Sequence, residues 1–179
     1  MKQIFFIVAL FSAVILQAQN FTPKDKGSKL HFVIKNIGIN TGGDMAGMKG
    51  KITFDAKRPS FCFFDVTVDV TTIDTDNDKR DGHLKRDDYF DVEKFPTIHL
   101  VSSEIKPGTD FKKFIFKGNL TIKNVTKSIE FPFTAEAKDG GALFTGEFEI
   151  NRIDYGVGKA SVALSNRVVI NLKVFAKAN

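Results

Sequence analysis

The chain has 179 residues, a formal charge of +5, 42% hydrophobic residues, 19 phenylalanines, two tyrosines and no tryptophan. Its basic residues are interleaved with acids rather than massed on one segment, so it lacks the electrostatic footprint of a nucleic-acid binder. The single cysteine, Cys62, rules out an intramolecular disulfide, and a domain of this size can stand on its core alone.

The first element is a leader. Lys2 precedes residues 4–16, apolar except for Ser12, and Gln17-Ala18-Gln19 follows. That pattern predicts a secretory signal peptide over residues 1–18 and a mature domain over 19–179, periplasmic or secreted after cleavage. The apolar run is shorter than the about 18–20 residues that cross a bilayer, and no cysteine stands near the cleavage point to carry a lipid.

Strands are expected almost from there to the end. Leu30, Phe32 and Ile34 alternate with His31, Val33 and Lys35, and Ile52 and Phe54 with Lys51, Thr53 and Asp55. Residues 62–70, 98–100, 113–123, 129–136, 144–150 and 168–174 repeat the period of two, which gives each strand one apolar and one wet face. Turn signals separate them at Thr41-Gly42-Gly43-Asp44, Arg58-Pro59-Ser60, Pro107-Gly108-Thr109-Asp110 and Asp139-Gly140-Gly141. The reading is all-β, either a closed antiparallel barrel or a sandwich, and periodicity does not choose between them. Phenylalanines 32, 54, 64, 116, 131, 133, 144 and 148 fall on the inward face. They mean either a phenylalanine-packed core or an apolar pocket, since an eight-stranded barrel can be filled or hold one small ligand. Cys62 shares that face and reads as an inert buried thiol.

Residues 71–96 pose the main question. Asp74, Asp76 and Asp78 begin as a calcium loop begins. Counted from Asp74, however, Lys79 stands where the turn glycine belongs and Lys85 where the bidentate glutamate belongs, which excludes an EF-hand. "YGVGKAS" (155–161) fails as a phosphate-binding loop at Ile153 and Ala160. His31, His83 and His99 are scattered, so no zinc site is expected. What remains is a crossover with eight acids and five bases between residues 74 and 94. It is expected to form a short helical turn capped by Asn77 or Asp78 and running to Arg86, anchored by Leu84 and held by Asp–Arg and Asp–Lys pairs. Tyr89, Phe90, Val92 and Phe95 would turn toward a barrel mouth.

Four blocks carry a resemblance: "GMKGKITFD" (47–55), "VDVTTIDTDNDKRDGHLKRDDYFDVEKFPTI" (68–98), "FKGNLTIKNVTKSIEFPF" (116–133) and "INRIDYGVG" (150–158). In this order they resemble the YceI-like, polyisoprenoid-binding family of exported bacterial proteins. The resemblance implies a lipocalin-like antiparallel barrel of eight strands with a short helical crossover and an apolar channel for an isoprenoid lipid, with no further cofactor. It also implies a periplasmic homodimer and an association with stress responses; transient membrane contact is a separate expectation for the chain. Gly82 and Asn36 depart from the family's habit of a bulkier polar residue and a histidine at those places. The expected ligand-contacting residues are Phe32, Phe64, Val66, Phe116, Leu120, Phe131, Phe133, Phe148 and Ile170. Arg152, in register with Phe148 and Ile150, is expected inside near one end, paired with Asp81 or Asp154 or meeting an anionic head group. The leading expectation is a non-catalytic carrier of a quinone or polyprenyl chain. An enzyme acting on a lipid or quinone, with Arg80, Asp81 and His83 as acid–base set, is the alternative. A solid-cored module without ligand is a third.

Overall fold

The structure, a computed structural model, describes residues 19–110 and 112–179. The expected signal peptide, residues 1–18, lies outside the described residues. Eight strands follow one another around a closed barrel: β1 (Gln19–Asn36), β2 (Ile39–Phe54), β3 (Phe63–Asp74), β4 (Thr97–Pro107), β5 (Lys113–Ile122), β6 (Val125–Lys138), β7 (Gly141–Asn151) and β8 (Leu164–Ala178). All neighbours are antiparallel, and β8 pairs back onto β1 with Ile170 opposite Phe32. Closure leaves no strand edge unpaired. The barrel, not the sandwich, is the answer to the alternation. The helix α1 (Asp78–Leu84) lies in the β3–β4 crossover.

Strand β5 shows how the sequence makes this wall. Phe114, Phe116, Leu120 and Ile122 are buried while the residues between them stay at least partly open to solvent, except Gly118. Gly118 is buried too, and a Cβ there would lie 2.1 Å from the Val101 carbonyl oxygen, so the close approach of β4 requires glycine. One expected turn is absent. Thr41-Gly42-Gly43-Asp44 runs inside β2, paired with residues 31–34 of β1, and the chain reverses earlier, at Ile37-Gly38. The two glycines serve close approach instead: a Cβ would come 2.5 Å from the Phe32 carbonyl oxygen at Gly42 and 2.6 Å from that of Asp74 at Gly43. A second difference is the start of β1. Gln19–Phe21 pair with β2 and Phe21–Lys24 with β8, and the register slips between Lys24 and Lys29 before the alternating part begins. Pro23 and Gly27 hide that strand from a search for period two.

One barrel end carries the chain's Gln19, the β2–β3 connection and the β6–β7 turn. The other carries the β1–β2 turn, the crossover, the β5–β6 turn and the link from β7 to β8, where Arg152–Tyr155 form a short 3₁₀ turn. At the first end Arg58 Nε donates to Asp55 at 2.8 Å and Lys57 N–H to the same carboxylate at 2.9 Å. The Arg58 guanidinium holds the Asp55 carboxyl below its ordinary range. A depressed folded-state value stabilises the fold above the unfolded value of about 3.9, and that contribution is lost as pH falls through the folded value. Asp55→Asn is therefore expected to lower the melting temperature near neutral pH, with the gap to the parent closing as pH falls from about 5 to about 3. Thermal melts across that range check it.

Candidate functional site

The barrel interior divides into a filled half and a hollow half. At the Gln19 end the rings of Phe54 and Phe114, and of Phe54 and Phe144, meet edge-on with centroids 5.1 and 5.3 Å apart. Phe64 meets Phe133 and Phe144 the same way at 5.5 and 5.3 Å, and Phe21 closes against Phe144. Edge-to-face contact is a favoured aromatic geometry, and here it plugs the axis. Beyond Phe64 the packing opens into a cavity of about 470 Å³ with walls mostly of carbon. Both readings of the inward phenylalanines thus hold, each for its own half.

All ten residues expected at the ligand face this cavity: Phe32, Phe64, Val66, Phe116, Leu120, Phe131, Phe133, Phe148, Ile170 and Arg152. Five of them form a belt around the wall. Phe116 stands opposite Phe131, Phe148 opposite Ile170, and Ile170 opposite Phe32. The rings of Phe116, Phe131 and Phe148 stack in succession at 4.8 and 4.6 Å. The belt closes over Gly43, which faces Phe32 and leaves room for its ring. Strand reasoning missed Met45, Met48 and Val157, which also line the cavity. The two methionines sit either side of Gly47 (φ 72°), where β2 slips register against β3, so their spacing of three breaks the alternation. Val157 lies outside the strands and carries no periodic signal.

The mouth is built by the crossover and by the link from β7 to β8. Asn77 caps α1 by accepting from Arg80 N–H at 3.0 Å, and the helix ends at Leu84, one half-turn before the expected Arg86. Leu84, Phe90 and Val92 pack on Met45, Met48, Val68, Val70 and Ile73. Of the ion pairs expected in the crossover, Lys94–Asp91 is present at 3.1 Å. The remaining ties run mostly to backbone. Lys123 Nζ donates to the Asp87 and Gly156 carbonyls at 2.9 and 3.1 Å, and Gly158 N–H to the Asp88 carbonyl at 3.0 Å. Arg80 and Asp81 both bind Thr75: Arg80 Nε donates to its hydroxyl at 2.7 Å, and Thr75 N–H donates to Asp81 Oδ1 at 3.0 Å. His83 instead bonds Asp88 at 3.1 Å, which holds that carboxyl below its ordinary range. The three groups of the acid–base alternative are therefore not joined in one hydrogen-bonded set.

Arg152 differs from expectation. It lies inside, 3% exposed, but pairs with neither Asp81 nor Asp154. Its guanidinium donates to the carbonyls of Ser165, Val157 and Lys159 at 2.9, 2.8 and 2.9 Å and, at 3.3 Å, to Leu164 and the Asn166 side chain. The reason is local: the chain turns through Gly156 and Gly158, both at positive φ, and wraps its carbonyls around the side chain. Burial among dipoles pulls the guanidinium down from the usual arginine range. Cys62, at the plugged end, is buried and its thiol is pushed up by desolvation. Among the described residues no group of histidine, cysteine and carboxylate side chains is arranged to hold a metal ion.

A family profile described as the YceI-like domain matches residues 21–176. The chain belongs to the YceI-like family. A UPF0312 protein of Pseudomonas aeruginosa is 31% identical over 175 residues, covering 93% of this chain and 91% of that one. Among solved structures, BcnA of Burkholderia cenocepacia superposes with a TM-score of 0.82 at 24% identity, over 87% of this chain and 99% of that one. A polyisoprenoid binding domain from Saccharophagus degradans, implicated in plant cell wall breakdown, gives 0.70 at 12% identity, over 89% and 98%. These likenesses fix the YceI-like barrel as the shared architecture. In this YceI-like chain, Arg152→Gln is expected to cost about 2–4 kcal/mol by stranding buried acceptors. Urea unfolding measures the loss, and hydrogen exchange is expected to quicken over residues 157–165 before the strands are affected.

Proposed function

We propose that the protein is an exported carrier or store for an isoprenoid lipid, a quinone or a polyprenyl alcohol or phosphate, held in the cavity without being transformed. The observation that carries this reading is the hollow itself: about 470 Å³, walled by carbon, blind at the phenylalanine plug and reached from the polar end. That volume is in the range of about 300–1,000 Å³ typical of small-molecule sites. Family membership and the polyisoprenoid binding domain of the same fold support it. Burying a five-carbon unit gains on the order of 4 kcal/mol at about 0.8 per carbon. Three units give roughly 12 kcal/mol gross, against several kcal/mol of ordering cost, where micromolar affinity needs about 8 net. The wall needs no reactive group to achieve that.

A blind tube admits only a segment of a long chain, so chain length is a weak selector and the head group a stronger one. Arg152 brings a cation into the wall with carbonyls, and no carboxylate, as its partners. That field supports a phosphate over a neutral head group. Homodimer formation and export to the periplasm belong to the same proposal, export resting on the leader pattern of residues 1–18.

Native mass spectrometry of protein from its own host, followed by organic extraction, is expected to find a stoichiometric isoprenoid and to report the oligomeric state. Ile170→Trp, which fills the belt, is expected to cut uptake of a prenyl chain at least about tenfold while unfolding stays cooperative. His83→Ala should leave uptake unchanged, and a prenyl phosphate should bind more tightly than its alcohol. A natively purified protein that is empty, and that takes up no prenyl chain, sinks the reading.

A further inference from the structure

The rim of the cavity mouth carries apolar side chains with no structural task. Ile37 and Ile39 are 76% and 71% exposed and Val162 is fully exposed. They form one patch. Ile37 N–H donates to the Ala163 carbonyl at 2.6 Å, which places the β1–β2 turn against the loop that carries Val162. The patch is also continuous with the cavity. Asn36 and Leu164 stand opposite each other and line it, as does Thr41. Ile39 faces Asn36 across the turn and shares the register of Thr41, so it sits on the inner side of its strand at the opening.

The backbone makes this placement costly. Three two-residue hairpins in the barrel have both central residues at positive φ: Ile37-Gly38 (49°, 78°), Lys123-Asn124 (48°, 63°) and Asp139-Gly140 (46°, 74°). Such turns favour asparagine, aspartate and glycine, and a β-branched residue there is strained. The other two hairpins begin with polar residues. Of the three, only Ile37-Gly38 begins with isoleucine, which gains no burial in return.

Charge indicates what covers the patch. Lys35, one residue before Asn36, and Lys159, in the Val162 loop, are exposed and make no ion pair among the described residues. The nearby Glu149 is already neutralised by Arg167. The flank formed by Asp74, Asp76 and Asp78 is acidic, so the docking side is the β1–β8 side. Three aliphatic side chains offer a patch of the order of a few hundred Å², short of the about 800 Å² per partner of a stable protein interface. Aliphatic tips flanked by two exposed lysines instead match the boundary between head groups and acyl chains of an anionic bilayer.

We propose that this rim docks the barrel, mouth first, on an anionic phospholipid surface. Its use for loading or unloading rests on the carrier reading; the docking does not. The test is flotation of the purified protein with vesicles of phosphatidylglycerol and phosphatidylethanolamine, set against phosphatidylcholine vesicles, with uptake of an apolar fluorescent dye followed in parallel. Binding is expected on the anionic vesicles and is expected to weaken with salt. The double variant Ile37→Asn, Ile39→Thr suits the turn and strand, so it should fold. It should lose roughly tenfold or more in vesicle affinity while dye uptake is unchanged. Absence of flotation, undiminished flotation of the double variant, or a wild-type dimer that this variant dissociates would each overturn the proposal, the last by assigning the rim to a second copy. Flotation without any dye uptake would support docking and count against the carrier reading alone.

Discussion

The edge-to-face packing of Phe54, Phe64, Phe133 and Phe144 is the contact on which the rest of this barrel depends. An eight-stranded barrel is wide enough to be filled by side chains or to admit one small ligand. Large rings from β2, β3, β6 and β7 meet across the axis at one end and leave nothing between them. That filled half supplies the burial that stabilises the fold, so the other half can stay open although a cavity carries its own cost. Had the same rings been spread evenly along the strands, neither half would be dense and neither roomy.

The transition between halves is set by what faces the rings. Phe116, Phe131 and Phe148 lie flat on one another along the wall instead of pointing edge-on into the axis. Opposite them stand Phe32 beside Gly43, then Met45, Met48 and Val68, which are narrower or more pliant than a ring. The register slip at Gly47 brings both methionines to the same face. A backbone irregularity, rather than a change in composition, thus widens the tube.

Much of this was legible in the sequence because strands with one wet face advertise themselves. The eight alternating segments all became strands, and each of the ten residues placed inside faces the cavity. Alternation alone left barrel and sandwich open, since the closure of β1 on β8 joins residues far apart in the chain. It also failed wherever the backbone departs from a plain strand: at Pro23 and Gly27 in β1, at the glycine pair inside β2, and at Gly47. Arg152 shows a different limit. Its register placed it inside, but its partners are carbonyls of the β7–β8 link and of the start of β8, and carbonyls leave no mark on a sequence, whereas a carboxylate would. Likewise Arg80 and Asp81 meet at the hydroxyl and backbone of Thr75, a residue type too common to signal a partner.

The same preference for backbone partners sets how firmly each side of the mouth is tied. Surface ion pairs are weak and screened by salt, while charge-assisted bonds to buried carbonyls are among the stronger ones. Arg152 makes bonds of the second kind to the carbonyls of Val157, Lys159 and Ser165, while the crossover is tied by Arg80 to the Thr75 hydroxyl and by Lys123 to carbonyls at the surface. On the opposite flank, the side chains of Ile37, Ile39 and Val162 face solvent, and Ile37 sits in a turn whose backbone is strained. On the carrier reading, a tail entering the hollow would have to displace something at the rim. The crossover side is tied by side-chain bonds from Arg80 and Lys123, whereas the turn at Ile37-Gly38 is held to the opposite loop by the backbone bond from Ile37 N–H to the Ala163 carbonyl, so the isoleucine side is the more weakly held.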